Sequence, residues 1–298
     1  CLGVIDHDNS TGRKYHEVAD AIADLRPHEE LFRSEVKAEV AVVYDMDSVW
    51  AWRAQTQSVS FDYTSELMRL YRPFHALNVT IDVLPVGAEF ADHKVVVLPV
   101  PVVMDQELAG RLGDFVRGGG TLLLSFRAGT KDRDNTIPFG LTAPGLLREL
   151  CGISISEGES LPAEAGGVAI TDDHLRVGRE VGRVTVWRDL IRADDAEVLY
   201  RFTDQFYGDC AAVTRRGVGA GAVYYIGGGV DAAVMAGIGR RIAAEAGLEV
   251  IDAPAGLEVV RRRGPAGEMD VVTNHTDRPL TYAGVEFGPY DAKVLPVS

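Results

Sequence analysis

The sequence predicts an α/β fold: a doubly wound, mostly parallel sheet over residues 34–248, followed by a small antiparallel β domain over residues 249–298. Three observations carry this reading. First, residues 94–131 read as strand, loop, helix, glycine stop and strand, a unit whose length implies two parallel strands joined by a right-handed crossover. Second, strand-like and helix-like patterns alternate on either side of that unit. Third, the alternation ends just after Gly256, where short β-like runs separated by turn residues take over.

Within the unit, residues 94–98 form a short Val-rich run, as expected of a strand buried on both faces. Pro99 and Pro101 end it, and Asp105 is placed to cap the next helix. Leu108, Leu112, Phe115 and Val116 recur at helical spacing. Gly118, Gly119 and Gly120 stop that helix where positive φ is needed, and residues 121–125 begin the next buried strand.

In chain order, residues 1–33 hold a few apolar residues, a turn at 6–12 and a helix carrying Tyr15, Val18, Ala19, Ile22 and Leu25, closed by Pro27. One strand end and one helix cannot bury a core, so this piece is expected to belong to something larger or to dock on the next domain. Residues 39–44 read as a strand. Residues 61–77 read as a helix with a kink or break near Arg72, because Pro73 lacks the N–H. Residues 80–84 are the next strand. Residues 132–200 are less regular: a short helix at 144–150 ended by Gly152, then β-like pieces at 153–157, 168–171 and 184–187 that fit an antiparallel insertion. Residues 211–215 and 222–226 read as strands, and 231–246 as a helix. The final 50 residues carry β-like runs at 257–261, 269–273, 280–282 and 292–297, with turns at 264–265, 274–279 and 288–289.

Forty-four acidic residues against 30 basic ones give a net charge of −14, which argues against nucleic acid and anionic membranes as partners, since both select a basic surface. No apolar run approaches the roughly 20 residues that span a bilayer. Cys1, Cys151 and Cys210 are too scattered for a disulfide framework or zinc site. The chain opens without Met, basic n-region or signal h-region; it is expected to be a fragment, and the expected location is cytoplasmic.

Candidate chemistry is sparse. Gly118–Gly120 precede a strand and cannot cradle a phosphate at a helix N-terminus. Gly227, Gly228 and Gly229 do lie between strand and helix, but Ala232 replaces the third fingerprint glycine and Asp231 repels phosphate, which favours a tight turn over a nucleotide site. A nucleophile elbow after residues 121–125 would need Cys or Ser; Phe126, Arg127, Ala128 and Gly129 stand there. His7, His16, His28, His75, His93, His174 and His275 never fall at metal-ligand spacing, so neither metal nor cofactor is expected. Arg261–Arg263 reads as a solvated strand edge. The substrate-binding candidates are Asp47, Trp50 and Trp52, which follow the first strand where ligands of open α/β sheets bind. A Trp face suits a sugar ring. The same residues also fit turn capping by Asp45 and indole packing at a domain or subunit contact.

A longer series of segments resembles one known family. EVAVVYDMDSVWAWRAQ (39–55), VTIDVLP (79–85), HKVVVLPVPVVMD (93–105) and FVRGGGTLLLSFRAG (115–129) resemble the middle domain of glycoside hydrolase family 42 β-galactosidases. PGLLRELCGISISE (144–157) and VTRRGVGAGAVYYIGG (213–228) continue that resemblance in order. GLEVVRRRG (256–264) and VVTNHTDRP (271–279) resemble the family's small C-terminal domain, and IDHDNSTGRKYHEV (5–18) the last stretch of its catalytic barrel.

The resemblance implies residues 1–33 as the tail of a (β/α)8 barrel, residues 34–248 as a trimerisation domain and residues 249–298 as a C-terminal β domain. It implies a middle domain with a class I glutamine-amidotransferase-like fold lacking the nucleophile. It also implies a homotrimer, and a parent enzyme that is a retaining hydrolase of terminal non-reducing β-D-galactosides. The family's catalytic Glu pair lies upstream, so no catalytic residue is carried over, galactoside is met through the missing barrel, and the 298 residues alone are expected to be inactive. Met46 and Val49 depart from a segment that in the family carries more aromatics. The alternative is a stand-alone amidotransferase-like or ligand-binding α/β protein.

Overall fold

The computed structural model describes residues 3–173, 180–204, 206–264 and 267–297. Cys1, His174 and Pro265 therefore lie outside the described residues. The chain divides into two compact units, residues 38–252 and residues 1–37 with 253–298. Its first helices are α1 (Arg13–Leu25) and α2 (Glu29–Phe32).

The larger unit begins with β1 (Val40–Tyr44), α3 (Met46–Ala54), α4 (Tyr63–His75), β2 (Ile81–Pro85), β3 (Val95–Leu98), α5 (Gln106–Arg117) and β4 (Thr121–Ser125). It continues with α6 (Arg148–Cys151), β5 (Ile153–Leu161), β6 (Val168–Asp172), β7 (Gly182–Ala193) and β8 (Glu197–Phe202). Last come β9 (Ala211–Val218), β10 (Gly221–Ile226), β11 (Gly228–Val230) and α7 (Ala232–Glu245). One 11-stranded sheet runs through it in the order β11-β7-β6-β8-β9-β10-β4-β3-β1-β2, with β5 also on β7.

The sheet is mixed, where the sequence pattern led to a mostly parallel one. Strands β2, β1, β3, β4 and β10 pair in parallel. From β10 onward β9, β8, β6, β7, β5 and β11 pair antiparallel. The physical reason lies in residues 132–200: among the described residues there the one α-helix is the single turn α6, and parallel neighbours need a long crossover.

In the parallel half, residues two apart share a face. Val40, Val42, Val95, Val97, Leu123 and Tyr224 pack with Leu70 and Phe74 of α4 and with Met235, Ile238 and Ile242 of α7. Ala41, Val43, Val96, Leu98, Leu122, Leu124 and Tyr225 pack with Leu112, Phe115 and Val116 of α5 and with Cys151 of α6. Helices thus cover both faces, which explains why these strands read as unbroken apolar runs.

Local chemistry sets the ends. Asp105 caps α5 by accepting from Leu108 N–H at 2.8 Å, and Gly119 just beyond the helix has φ +113. Helix α4 continues through Pro73 without a break. Pro73 sits in the last turn, where little helix remains to be disrupted, and its ring abuts Gly239 of α7: a Cβ on that glycine would lie 2.5 Å from Pro73 Cβ. The glycine triplet at 227–229 is neither a phosphate cradle nor a plain turn. Gly228 and Gly229 belong to β11, and a Cβ on Gly228 would lie 2.1 Å from the Trp187 carbonyl oxygen of β7. Asp231 then caps α7 through Val234 N–H at 3.1 Å.

The smaller unit holds α1, α2, a three-stranded antiparallel sheet of β12 (Leu257–Gly264), β13 (Gly267–Asn274) and β16 (Ala292–Pro296), and a hairpin of β14 (Leu280–Tyr282) and β15 (Val285–Phe287). Arg261–Arg263 lies on β12, an edge strand of this sheet, with Arg263 exposed, and each arginine has its own partner. Arg261 forms a fork on Asp270 at 2.8 and 3.0 Å, Arg263 pairs with Glu268 at 2.7 Å, and Arg262 donates to the carbonyls of Leu31, Phe32 and Ser34. The last contact satisfies the open carbonyl end of α2. Helix α1 buries none of its residues: Tyr15, Val18, Ile22 and Leu25 form an exposed apolar stripe.

Asp270 supports a pH prediction. Burial pushes its carboxyl up, yet the hydrogen bonds from Arg261 and Tyr282 and the arginine charge outweigh this and hold it below the ordinary carboxylate range. A folded pKa below the unfolded value stabilises above the unfolded value, about 4, and that stability fades as pH falls toward the folded pKa. Asp270→Asn is therefore expected to lower stability at neutral pH and to flatten the acid limb below about pH 4, read by denaturant midpoints across pH. An unchanged acid limb would show that Asp270 is not a linked group.

Candidate functional site

In open α/β sheets the ligand-binding end is where the parallel strands finish, at the point where strand order reverses. Here that is the carboxyl edge of β1, β3 and β4, since β1 and β3 are followed by connections that run in opposite directions along the sheet. After β1, Asp45 caps α3 by accepting from the N–H groups of Asp47 at 3.1 Å and Ser48 at 3.3 Å, and from the Ser48 hydroxyl. Tyr63 accepts from Asp45 N–H at 3.0 Å, and Val103 N–H donates to Ser48 Oγ at 3.0 Å. Burial raises the Asp45 carboxyl despite these bonds. This edge of the sheet is thus tied together by buried hydrogen bonds.

After β4 the chain turns at Arg127, whose φ is +60, a conformation costly for a residue with a Cβ. Asp189 of β7 holds the turn. Its Oδ2 accepts from Arg127 N–H at 2.9 Å and from the Tyr225 hydroxyl at 2.8 Å, while Oδ1 accepts from Trp187 Nε1 at 2.8 Å. Trp187 and Asp189 are two residues apart on one strand, so one strand face presents both. Burial raises the Asp189 carboxyl, opposed by those donors and by the Arg127 charge. The Arg127 guanidinium lies 4.9 Å from the Trp52 ring and 4.8 Å from the Trp187 ring, and donates to Gln57. Lys131 donates to Gln55 and to the Asn135 carbonyl.

These groups line an open cavity of about 340 Å³ together with Ile137, Pro138 and Leu141. Among the described residues, Trp52 Nε1 and Asn135 Oδ1 are buried polar atoms without a partner.

The three sequence candidates do not converge on this cavity. Asp47 is exposed and lines a separate small recess with Asp45, Asp105, Glu107, Arg111 and Arg133. Trp50 is 59% exposed. Trp52 is 4% exposed: Phe61 stacks on it at 3.8 Å, and Phe126 and Trp187 meet it edge-on. Its faces are occupied by protein, so it packs an aromatic cluster in place of offering a platform. The groups that sequence reasoning missed are Gln55, Gln57, Arg127, Lys131, Trp187 and Asp189. The one local signal was the arginine standing in the elbow position after β4.

Arginine at that elbow is no nucleophile, and the cysteines do not substitute for one. Burial pushes the Cys151 thiol up to about 12, so it is not a thiolate at neutral pH. Burial and the charges of Asp209 and Asp204 also raise Cys210. Among the described residues no group of three or more His, Cys, Asp or Glu is arranged to hold a metal ion. Nor is any helix of the described residues long and apolar enough to cross a membrane.

The chain is similar to a β-galactosidase of Planococcus sp. (strain 'SOS Orange'), 28% identical over 93% of this chain and 42% of the relative. A β-galactosidase of Heyndrickxia coagulans is 27% identical over 99% of this chain and 45% of that protein. The chain thus spans less than half the length of these curated relatives. Among solved structures, β-galactosidase from Bacillus circulans sp. alkalophilus superposes with a TM-score of 0.90 at 25% identity, covering 98% of this chain and 46% of that one. The β-galactosidase of Halorubrum lacusprofundi does so at 0.83 and 27%, covering 99% of this chain and 44% of that one. Residues 38–249 match the family model for the β-galactosidase trimerisation domain of glycoside hydrolase family 42, and the chain belongs to that family.

Proposed function

We propose that these 298 residues are the trimerisation and C-terminal region of a retaining β-galactosidase that hydrolyses terminal non-reducing β-D-galactosides. The observation that carries this is the family match over residues 38–249, extended to both ends by likeness to β-galactosidases. The catalytic Glu pair would lie outside the chain, about 5–5.5 Å apart as retention requires. In this reading residues 1–33 end a (β/α)8 barrel, residues 34–248 hold three subunits together and residues 249–298 form a C-terminal β domain. The exposed stripe of Tyr15, Val18, Ile22 and Leu25 supports the first assignment, because a barrel would cover it.

The middle domain is read as amidotransferase-like without its nucleophile. Support comes from the strand order β2-β1-β3-β4 under helices on both faces, and from Arg127 at positive φ where an elbow cysteine would stand. The test uses the purified chain. We expect no hydrolysis of nitrophenyl β-galactoside and a trimer by sedimentation velocity at micromolar concentration. Turnover by the chain would overturn the assignment of catalysis to residues outside it. A strict monomer would remove the trimerisation role from these residues alone.

A further inference from the structure

We propose that the cavity beside Arg127 and Lys131 binds a carboxylate: one planar monoanion carried on a small apolar body. The proposal does not depend on the galactosidase reading.

Both cations are buried, Arg127 at 8% and Lys131 at 6% exposure. A buried cation is costly unless an anion or a full set of acceptors meets it. Arg127 has part of this in the charge of Asp189, and neither cation has a full set of acceptors among the described residues. Arg127 donates from Nη1 to the carboxamide of Gln57, while its Nε and Nη2 have no acceptor there. Lys131 has the carboxamide of Gln55 and one backbone carbonyl, which leaves a third donor. The acid beside Arg127, Asp189, is already engaged by three donors. The two indoles beside Arg127 shield it from water, which strengthens any charge-assisted bond formed there.

The walls define the ligand. A guanidinium fork matches the two oxygens of a carboxylate, and Lys131 adds a point charge. Asp189 and Glu157 also line the cavity, so a dianion such as phosphate meets repulsion that a monoanion meets less. Ile137, Pro138 and Leu141 offer carbon contacts to the body of the ligand. The volume of about 340 Å³ suits a small molecule or one inserted side chain, and the carboxyl edge of a parallel sheet is the usual place for such a site. The carboxylate can therefore be a free acid or an Asp or Glu side chain from a second copy.

The experiment reads tryptophan fluorescence, because two of the three indoles flank Arg127. The chain carrying Trp50→Phe, which removes the exposed indole, is titrated with sodium acetate and sodium propionate against sodium chloride at equal ionic strength. A saturable change with the carboxylates, absent with chloride and weaker with inorganic phosphate, is expected. Lys131→Met should weaken it about tenfold. Gln57→Glu keeps the side-chain shape but supplies a carboxylate to Arg127 from within; it should abolish the response and raise the unfolding temperature. Equal responses to acetate and chloride would overturn the proposal, as would an intact acetate response in Gln57→Glu. Sedimentation in acetate separates the two sources. Dissociation of an oligomer on saturation assigns the carboxylate to a second copy, and unchanged sedimentation assigns it to a free acid.

Discussion

Replacing Asp189 by Ala is expected to destabilise the larger unit by about 3–5 kcal/mol, in the range for removing one partner of a buried charged network. Asp189 is 2% exposed, and three donors depend on it: Arg127 N–H, Trp187 Nε1 and the Tyr225 hydroxyl. The substitution leaves all three without that acceptor at a buried position, each costing about 1–3 kcal/mol when unsatisfied, less whatever relaxation recovers. For a unit of this size that is an unfolding temperature lower by about 10 °C. Asp189→Asn tests the mechanism. One amide oxygen can still accept from Arg127 and Tyr225, but the amide nitrogen then faces the Trp187 donor, so the expected loss is about half. The pH dependence has a defined sign. Burial raises the folded pKa, so the folded state retains a proton that the unfolded state has lost. The stability that Asp189 contributes therefore falls as pH rises above about 4, and the advantage of wild type over Asp189→Asn should narrow in the same direction. Urea midpoints across pH check this. A loss below about 1 kcal/mol for Asp189→Ala would mean that water replaces the carboxylate.

How much of this was visible beforehand depends on the distance between partners. The parallel half was legible because its evidence is local. Val95–Leu98 and Thr121–Ser125 are unbroken apolar runs, Asp105 and Gly119 mark the ends of α5, and the crossover length sets strand direction. Helix α3 was not legible. Its buried residues, Ser48, Val49, Ala51 and Trp52, include a serine and do not form a clean stripe, so the segment read as a turn after Asp45. That omission hid how the two tryptophans are oriented. On a helix, residues two apart point about 200° away from each other, so Trp50 and Trp52 could not both face a ligand. The structure buries one and exposes the other. The antiparallel half was only partly legible, since β8 (EVLYRF) carries no clean alternation of apolar and polar residues. The Arg127 cluster was least legible of all. Gln57, Trp187 and Asp189 all lie 60 or more positions from Arg127 in the chain, 62 for Asp189 and 70 for Gln57. No local pattern encodes such pairings; the register of the sheet creates them.

The family resemblance came from a different kind of signal. No single segment was decisive, but their order along the chain was, and the family model matches residues 38–249. Order survives divergence because each segment is held by a constraint of its own. Gly221 illustrates one: a Cβ there would lie 2.2 Å from the Gly120 carbonyl oxygen, so the strand pair β4–β10 can close only around glycine.

Asn274 carries the second large effect. It stood in the sequence as one member of a turn cluster, but it is fully buried and organises the smaller unit. Its amide nitrogen donates to the carbonyls of Arg278 and Gly288, each at 2.8 Å, and more distantly to Phe287 at 3.4 Å. Its oxygen accepts from Thr276 N–H at 2.9 Å and from the Thr276 hydroxyl at 2.7 Å. One side chain thus ties the end of β13 to the turn at 275–279 and to the loop after β15. Asn274→Ala removes these bonds and is expected to cost about 3–4 kcal/mol. In a unit whose buried apolar residues are few, Leu31, Leu257, Val259, Val272 and Phe287 among them, that is a large share of the available stability. Asn274→Asp is expected to be as damaging despite its shape, because the lost donors leave a carboxylate facing backbone carbonyls. All three tryptophans lie in the larger unit, so fluorescence cannot report the damage. Amide hydrogen exchange can: protection across β12, β13 and β16 should fall in both variants. If Asn274→Asp retained wild-type protection, shape would matter more than the donors, and the role assigned to the amide nitrogen would be wrong.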